Sequence, residues 1–236
     1  GMLKKTILWG TIAAAAAISP AYAQDKGVKI VLNEEADVLE PCMATRSNIG
    51  RIILQNVNET LTYLDIKGGT GLQPKLAEGW EQQADGSWRF KLRQGVKFSD
   101  GTGFDAKDVK HSFDRAMDEK ITCETPRYFG GMTVEANVVD DYTIDFKADP
   151  VQPILPLLLS LVTIVPEETP VEFIREPVGT GPYKLTEWTP GQQIVLTARD
   201  DYWGDKPAVS SATYMFRGDP AVRAAMVQTG EADIAP

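Results

Sequence analysis

The sequence predicts an α/β protein with mixed β-sheets, and residues 76–117 carry the clearest evidence for this class. Within that stretch the apolar residues Trp88, Phe90 and Leu92 alternate with basic residues, which is typical of a strand with one buried and one wet face. Apolar residues then recur at helical spacing over 109–117, which predicts an amphipathic helix that faces a core. Strand and helix patterns thus follow each other closely along the chain.

The segment between this strand and this helix has the composition of a tight loop. Residues 99–103 read Ser-Asp-Gly-Thr-Gly, where glycines and short polar side chains permit a tight backbone. Asp105 can then cap the helix, and Asp108 falls in the first turn, where a negative charge suits the helix dipole. The basic side chains on the wet face of the strand are interpreted as solvated surface: Arg89, Lys91 and Arg93.

Other elements are predicted along the whole chain. A helix is expected from Ile49 to Leu61, and a hairpin over 133–148 turns at the adjacent acids Asp140 and Asp141. Short strands are predicted at 28–32, 61–64, 183–188, 194–198 and 212–216. A last helix is expected after Asp219, with its end at Gly230.

The first residues have the pattern of a secretory signal. Gly1 is interpreted as an expression scar, and 2–23 as a signal peptide with two lysines, an apolar run over 7–18 and the small-x-small sequence Ala-Tyr-Ala before Gln24. A membrane anchor is the alternative, but the apolar run is short for spanning a bilayer. The sequence therefore predicts export.

Charge and composition restrict the partners. The 236 residues are 43% hydrophobic and 24% charged, with a formal net charge of −9. Such an acidic chain argues against nucleic acid and against anionic lipid as partners.

Two cysteines, Cys42 and Cys123, leave two alternatives open. Export permits a disulfide, whereas two separate buried thiols are the simpler possibility. Spacing alone does not bring their Cα atoms to within ~4.4–6.8 Å, the range that a disulfide requires.

Catalysis has little support in the sequence. His111 is the only histidine, so a histidine-dependent secreted hydrolase would have to use it. Its position outside the apolar stripe of the predicted helix predicts a solvent-facing side chain instead. No cluster of histidine, cysteine and carboxylate residues has metal-ligand spacing, and neither a metal nor another cofactor is predicted.

Two separated stretches carry a family resemblance. One is LAEGW…DGSWRFKLRQGVKFSDGTGFDAKDVKHSFDRAM, and the other is VGTGPYKLTEW…DYWGDKP…GDPAVRAAMVQTGEADI. Together, in this order and separation, they resemble the family 5 extracellular solute-binding proteins of ABC importers, the peptide and nickel type. The resemblance extends over residues 28–236. One departure is Arg199-Asp200, where the family often has Asn-Pro, and it is interpreted as a change in a local turn.

The resemblance implies an architecture. It implies a first lobe of the type II periplasmic binding protein fold, with residues 24–64 and 178–236 as an incomplete lobe core and residues 65–177 as an accessory subdomain. A second lobe, which in the family encloses the ligand, is expected to be absent from this chain. Residues 1–23 are the scar and the signal.

The resemblance also implies a function. The protein is expected to capture a small solute, most simply an oligopeptide-like one, between two lobes and to deliver it to the transmembrane subunits of an ABC permease. No enzymatic activity and no nucleic-acid partner are expected. A secreted sensor or chaperone-type interaction module on the same fold is the alternative.

The loop after the first strand is the expected site of first-lobe solute contacts. The candidates are Cys42, Met43, Ala44, Thr45, Arg46, Ser47 and Asn48. Arg46 could pair with a ligand carboxylate, or it could be a surface arginine in local salt bridges. Tyr128 and Phe129 are further candidates, although their aromatic segment could equally cover the edge of a core.

Overall fold

Two four-stranded sheets and a two-stranded hairpin form the framework of the computed structural model, which describes residues 27–44 and 47–236. The expected signal over residues 2–23 and the candidates Thr45 and Arg46 lie outside the described residues. The strands are β1 (Val28–Leu32), β2 (Thr62–Asp65), β3 (Gly71–Pro74), β4 (Ala77–Gln82), β5 (Trp88–Leu92), β6 (Thr133–Asp140), β7 (Thr143–Asp149), β8 (Tyr183–Thr189), β9 (Gln193–Ala198) and β10 (Ser211–Phe216). The helices are α1 (Asn48–Leu54), α2 (Ala106–Met117), α3 (Thr125–Tyr128), α4 (Leu155–Leu159) and α5 (Pro220–Thr229), with a short 3₁₀ turn at Pro41–Met43.

The first sheet joins the two ends of the described chain. Its strand order is β1-β10-β9-β8, with β1 parallel to β10 and the other pairs antiparallel. Ile30 lies opposite Tyr214 in the parallel pair. Parallel and antiparallel pairs in one sheet, packed with helices, confirm the predicted α/β class with mixed sheets.

The second sheet is formed wholly by residues 77–149. Its order is β4-β5-β7-β6, and every pair is antiparallel. The predicted hairpin is present, since β6 and β7 pair along their length and meet at Asp140 and Thr143. The strand composition of the two sheets is compatible with a lobe core of 24–64 plus 178–236 and an accessory subdomain of 65–177, and that division stays a prediction.

Helix α2 packs on the second sheet and follows the sequence closely. The Asp105 carboxylate accepts from the Lys107 backbone N–H, and Asp108 accepts in return from the Asp105 N–H at 2.8 Å, which completes a capping box. The predicted apolar stripe is buried at Val109 and Phe113. Aromatic rings dominate the core beneath it, with edge-to-face pairs between Phe113, Phe129, Phe146 and Phe90.

The helix predicted over 49–61 ends earlier than expected, at Leu54. The following backbone is used by another part of the chain, because Asn56 O and Val57 O accept from the backbone N–H groups of Tyr183 and Gly181. A longer helix would require both carbonyls for its own hydrogen bonds. The tertiary contact therefore overrides the helical periodicity.

The basic face of β5 is only partly solvated, since Lys91 is exposed as predicted whereas Arg89 and Arg93 are half-buried. Arg89 forms a bidentate pair with Asp145 on β7, at 2.8 and 2.9 Å, and Lys91 reaches the Thr143 hydroxyl at 3.2 Å. The Arg93 guanidinium lies 4.3 Å from the centre of a tryptophan ring, that of Trp203. Cross-strand and stacking partners thus hold all three side chains.

Within the described ranges 27–44 and 47–236, no helix has the length and apolar composition needed to cross a membrane.

Candidate functional site

A broad cleft of about 890 Å³ opens where α1, the β2–β3 hairpin and α4 meet. Its walls come from residues within 51–60, 63–66 and 157–163, together with Ala44 and Lys75. We call this depression the cleft. Its volume lies within the ~300–1,000 Å³ that small-molecule sites occupy in proteins.

Large apolar side chains form the rim of the cleft. Ile66 is 80% exposed, and Tyr63 and Leu64 beside it are 43% and 47% exposed. Leu157 and Leu161 add apolar surface from the α4 side. Because soluble proteins seldom leave several large apolar side chains exposed together, this concentration is typical of a surface that contacts a ligand or another chain segment.

Glu59 forms the polar floor of the cleft and is almost completely buried. Its Oε1 accepts from the Thr180 hydroxyl at 2.8 Å and from the Trp203 indole N–H at 2.7 Å, and its Oε2 accepts from the Tyr202 hydroxyl at 2.8 Å. The Lys75 ammonium lies 3.4 Å from Oε2. These donors compensate the cost of burying a carboxylate.

The environment of Glu59 also changes the pKa of Tyr202. Burial, followed by the nearby Glu59 carboxylate, raises the pKa of the Tyr202 hydroxyl far above its usual range. The hydroxyl therefore stays protonated and acts as a donor to Glu59 at all ordinary pH values.

The loop over 178–183 packs tightly against the same floor. A Cβ on Gly179 would come within 2.1 Å of the Val57 carbonyl oxygen, and one on Gly181 within 2.7 Å, so only glycine fits at these two positions. Arg199 then anchors the loop, since its Nη1 donates to Gly181 O at 3.0 Å.

Arg199 corrects one expectation from the sequence. Its side chain is buried, its Nη2 also donates to Lys97 O at 2.9 Å, and its Nε pairs with Asp201 at 3.1 Å. The Arg199-Asp200 departure therefore affects more than a local turn, because Arg199 ties the loop before β8 to the segment before α2.

A second buried carboxylate supports the loop that follows β1. Glu40 pairs with Arg115 of α2, with Nη1–Oε1 and Nη2–Oε2 distances of 2.7 and 3.0 Å, and both side chains are at most 2% exposed. The Glu40 oxygens also accept from the backbone N–H groups of Cys42 and Ile174. Arg115 in turn donates to the carbonyl oxygens of Pro170 and Glu172. The network connects the loop, α2 and the segment after α4.

A disulfide lies next to this network. Cys42 and Cys123 are bonded, with Cα atoms 5.5 Å apart and a sequence separation of 81, so the structure selects the disulfide over two separate thiols. The loop after β1 is thereby held to the segment before α3.

The predicted contact residues of this loop have different environments. Ala44 lines the cleft. Cys42 is in the disulfide and Met43 is half-buried, whereas the Ser47 hydroxyl caps α1 by accepting from the Gly50 N–H and the Asn48 amide oxygen accepts from Arg51. The structure therefore brings one of the described loop candidates into the cleft wall.

The two aromatic candidates belong to the core of the second sheet. Phe129 is 1% exposed and its ring lies 5.5 Å from that of Phe113. Tyr128 is partly buried and packs against the same core. This placement agrees with the alternative in which their segment covers a core edge, and in this structure Phe129 presents no surface to the cleft.

His111 is not the solvent-facing side chain that its helix position predicted. Its Nε2 lies 2.7 Å from the Thr169 carbonyl oxygen, and the residue is half-buried, because the segment after α4 folds over this face of α2. Among the residues that the structure describes, no group of three or more histidine, cysteine or acidic side chains is arranged to hold a metal ion.

The sequence analysis missed the residues that shape the polar floor. Glu59 and Lys75 stand in segments with no motif of their own, and the partners of Glu59 at 180, 202 and 203 are more than 120 residues away in sequence. One signal was present, since these partners fall inside the Gly-Thr-Gly-Pro-Tyr and Asp-Tyr-Trp-Gly stretches.

Comparisons with known proteins agree with the fold. The sequence model described as "Bacterial extracellular solute-binding proteins, family 5 Middle" matches residues 71–236. A dipeptide-binding protein of Escherichia coli (strain K12) is 33% identical over 197 residues, which cover 72% of this chain and 37% of that protein.

Two solved structures extend this similarity to three dimensions. NikA from Brucella suis, in complex with Fe(III)-EDTA, is 32% identical with a TM-score of 0.76, over 88% of this chain and 43% of that one. The periplasmic binding protein DppA from Helicobacter pylori, in complex with the peptide STSA, is 25% identical with a TM-score of 0.76, over 87% of this chain and 45% of that one. The chain therefore spans less than half the length of these relatives.

The fold and these comparisons thus define a protein of the extracellular solute-binding class. Within that class, the chain belongs to family 5 of the bacterial extracellular solute-binding proteins.

Proposed function

We propose that this chain is part of the periplasmic solute-binding component of an ABC importer, which captures a small peptide-like solute and delivers it to the transmembrane subunits of a permease. The observation that carries the proposal is the cleft of about 890 Å³, with its apolar rim and its buried polar floor. The similarity to a dipeptide-binding protein and to a binding protein in complex with a peptide supports the peptide-like class.

The proposed chemistry is binding without covalent change. Backbone hydrogen bonds and apolar contacts can hold an extended peptide while they tolerate many side chains. We propose solute contacts from the loop over 42–48, with Ala44 in the cleft wall and Arg46 as a partner for a carboxylate. Tyr128 and Phe129 would contribute only after a rearrangement of the core edge.

The location follows from the same proposal. The family consists of extracellular binding proteins, and the signal pattern over 2–23 supports export to the periplasm with cleavage before Gln24. Such a protein would meet its solute outside the cytoplasmic membrane and would act there without enzymatic activity.

Native mass spectrometry of the full-length protein, purified from the periplasm of its own cells, tests the proposal. We expect a copurified small molecule whose mass disappears after partial unfolding and dialysis and returns when the solute is added back. Deletion of the gene is expected to abolish uptake of that solute. A protein with no bound solute, no affinity for a peptide library and no uptake defect on deletion would contradict the proposal and would favour a sensor or chaperone.

A further inference from the structure

Lys75 occupies a defined position at the border between the floor and the opening of the cleft. Its side chain is 34% exposed, whereas the Glu59 side chain that it approaches is 2% exposed. The ammonium lies 3.4 Å from Glu59 Oε2, 5.5 Å from the centre of the Tyr63 ring and 5.9 Å from the centre of the Trp203 ring. One anionic and two aromatic neighbours therefore hold the cation in place.

The Glu59 carboxylate next to this ammonium already accepts hydrogen bonds from other side chains. Both oxygens of Glu59 accept short hydrogen bonds, from Thr180, Trp203 and Tyr202. The Lys75–Glu59 distance of 3.4 Å is longer than a typical charge-assisted hydrogen bond of ~2.7–2.9 Å. The ammonium thus keeps donor capacity for a further acceptor on the open side.

The charged side chains that line the described part of the cleft carry a net positive charge. Among the described residues that line it, the ionisable side chains of fixed charge are Arg51, Lys75 and Glu59. Arg51 stands on α1, where its Nη2 donates to Asn48 Oδ1 at 3.1 Å. Two cations and one fully hydrogen-bonded, buried carboxylate leave a positive surface toward a bound solute, although the chain as a whole carries a net charge of −9.

We propose that Lys75 is the group that selects solutes with a carboxylate, and that Glu59, Tyr63 and Trp203 position its ammonium for this contact. The inference rests on the proposed binding function and adds the charge of the solute to it. A carboxylate in the cleft would accept from the Lys75 ammonium, while the aliphatic part of the solute packs on the apolar rim at Leu64 and Ile66. A point cation on a flexible stem can adapt to carboxylates in different poses.

The test uses the full-length protein and a randomised dipeptide-to-tetrapeptide library in two forms, as free acids and as C-terminal amides. The variants are Lys75→Met, Lys75→Arg and a matched control, Lys67→Met, which removes an exposed lysine from the turn of the β2–β3 hairpin that precedes Lys75. Peptides retained by each protein are quantified by mass spectrometry, and the affinity of one retained acid is measured by calorimetry at low and high salt. Circular dichroism verifies that the variants are folded.

We expect the wild type and Lys67→Met to retain free acids over amides by about tenfold, the effect of one charge-assisted hydrogen bond. Lys75→Met should lose this preference, with little change in the retention of amides, and Lys75→Arg should keep most of it. The affinity for the acid should fall with salt in the wild type and less so in Lys75→Met.

The outcomes separate the two proposals. Equal retention of acids and amides by the wild type, or an unchanged preference in Lys75→Met, would overturn the role of Lys75 while solute binding stands. Retention of neither form by the wild type would overturn the carboxylate proposal together with the peptide-like solute. If Lys75→Met does not fold, the salt series on the wild type decides. A preference for acids that weakens with salt supports the proposal, and a preference that is independent of salt overturns it.

Discussion

The Glu40 and Glu59 regions of the molecule bury a carboxylate in two different ways. Glu40 is closed off, because its partner Arg115 is itself buried and the surrounding donors come from the backbone. Glu59 is buried to the same degree, but its cationic partner Lys75 reaches the surface of the cleft. The first network thus holds two buried charges together inside the fold, whereas the second holds the partly exposed cation on which the proposed carboxylate contact depends.

A third buried carboxylate completes the comparison. Asp108 in α2 accepts from the backbone N–H groups of Asp105 and Glu167, at 2.8 and 2.9 Å. Burial raises the pKa of Asp108 to about 6, and the neighbouring charges of Asp105 and Glu167 act in the same direction. Without a cation to offset burial, this carboxyl group binds its proton more tightly in the folded state.

The largest loss of stability is expected when the buried Glu40–Arg115 pair is broken. Arg115→Met should lower the free energy of unfolding by about 3–5 kcal/mol, because it leaves the Glu40 charge buried and removes two donors to backbone carbonyls. Urea denaturation measures this loss. The control Arg127→Met changes an exposed arginine near the same disulfide and should stay within about 0.5 kcal/mol of the wild type. Equal stabilities of the two variants would show that the Glu40 pair contributes little to the fold.

Removal of the Cys42–Cys123 disulfide should cause a similar loss of stability. Removing a cross-link between residues 81 apart is expected to cost about 4 kcal/mol by the chain-entropy estimate, with smaller values where the unfolded chain keeps structure. Thermal unfolding of the double variant Cys42→Ala/Cys123→Ala, beside the wild type with and without a reducing agent, measures the effect. A reducing agent should change the wild type and leave the double variant unaffected. A reductant-insensitive wild type would argue that the bond is absent in solution.

A substitution at Glu59, whose partner Lys75 reaches the surface of the cleft, should destabilise the protein less than Arg115→Met. Glu59→Gln removes the negative charge and one of the two acceptor oxygens, so the hydrogen bonds from Tyr202 and Trp203 lose their charge assistance and one of them loses its acceptor. A loss of about 2–3 kcal/mol is expected. The more informative readout is ligand selectivity, since Lys75 loses the partner that positions it. Glu78→Gln, at an exposed position of β4, is the control. If Glu59→Gln destabilised the protein as strongly as Arg115→Met, the contrast between the two networks would be wrong.

The smallest effect concerns Asp108 and depends on pH. Its pKa is about 6 in the folded protein against an ordinary value of 3.8, so the folded state binds more protons than the unfolded chain between these values. The contribution of Asp108 to stability is therefore fully present below about pH 4 and is lost as the pH rises through about 6. The loss should be on the order of 2 kcal/mol.

The comparison with Asp108→Asn isolates this pH dependence. The wild type should lose stability relative to Asp108→Asn as the pH rises from 4 to 7. Urea denaturation of both proteins at several pH values measures this change. The control Asp141→Asn removes an exposed carboxylate from a turn and is measured at the same pH values. A pH-independent difference for Asp108→Asn would show that folding does not raise the pKa of this carboxyl group.

Local patterns predicted much of the fold correctly. The alternation around Phe90 and the helical stripe from Val109 are confirmed, because both depend on residues that are neighbours in sequence. The helix starting at Asn48 was predicted too long, since its end depends on the distant Gly181 and Tyr183. Sequence reasoning therefore succeeded where the partners were local and failed where a remote segment took over the backbone hydrogen bonds.

The candidate site was predicted less completely for the same reason. The loop after β1 contributes Ala44 to the cleft, but the ionisable groups beside it, Glu59 and Lys75, were not found from the sequence. Their roles depend on contacts with Tyr202 and Trp203, which the chain reaches only after a long excursion through the second sheet. A carboxylate in isolation gives no sign of whether it will be solvated or buried.

The sequence by itself determined the α/β class, the family and most of the strands and helices, because periodicity, capping residues and motifs are local properties of the chain. Only the tertiary structure decided which charges are buried, which cation remains at the surface of the cleft and which cysteines meet. Those outcomes depend on the desolvation of each group and on partners that folding brings together from remote positions. Glu40 with Arg115 and Glu59 with Lys75 contain the same kinds of charge, and only their burial distinguishes a structural pair from a proposed recognition site.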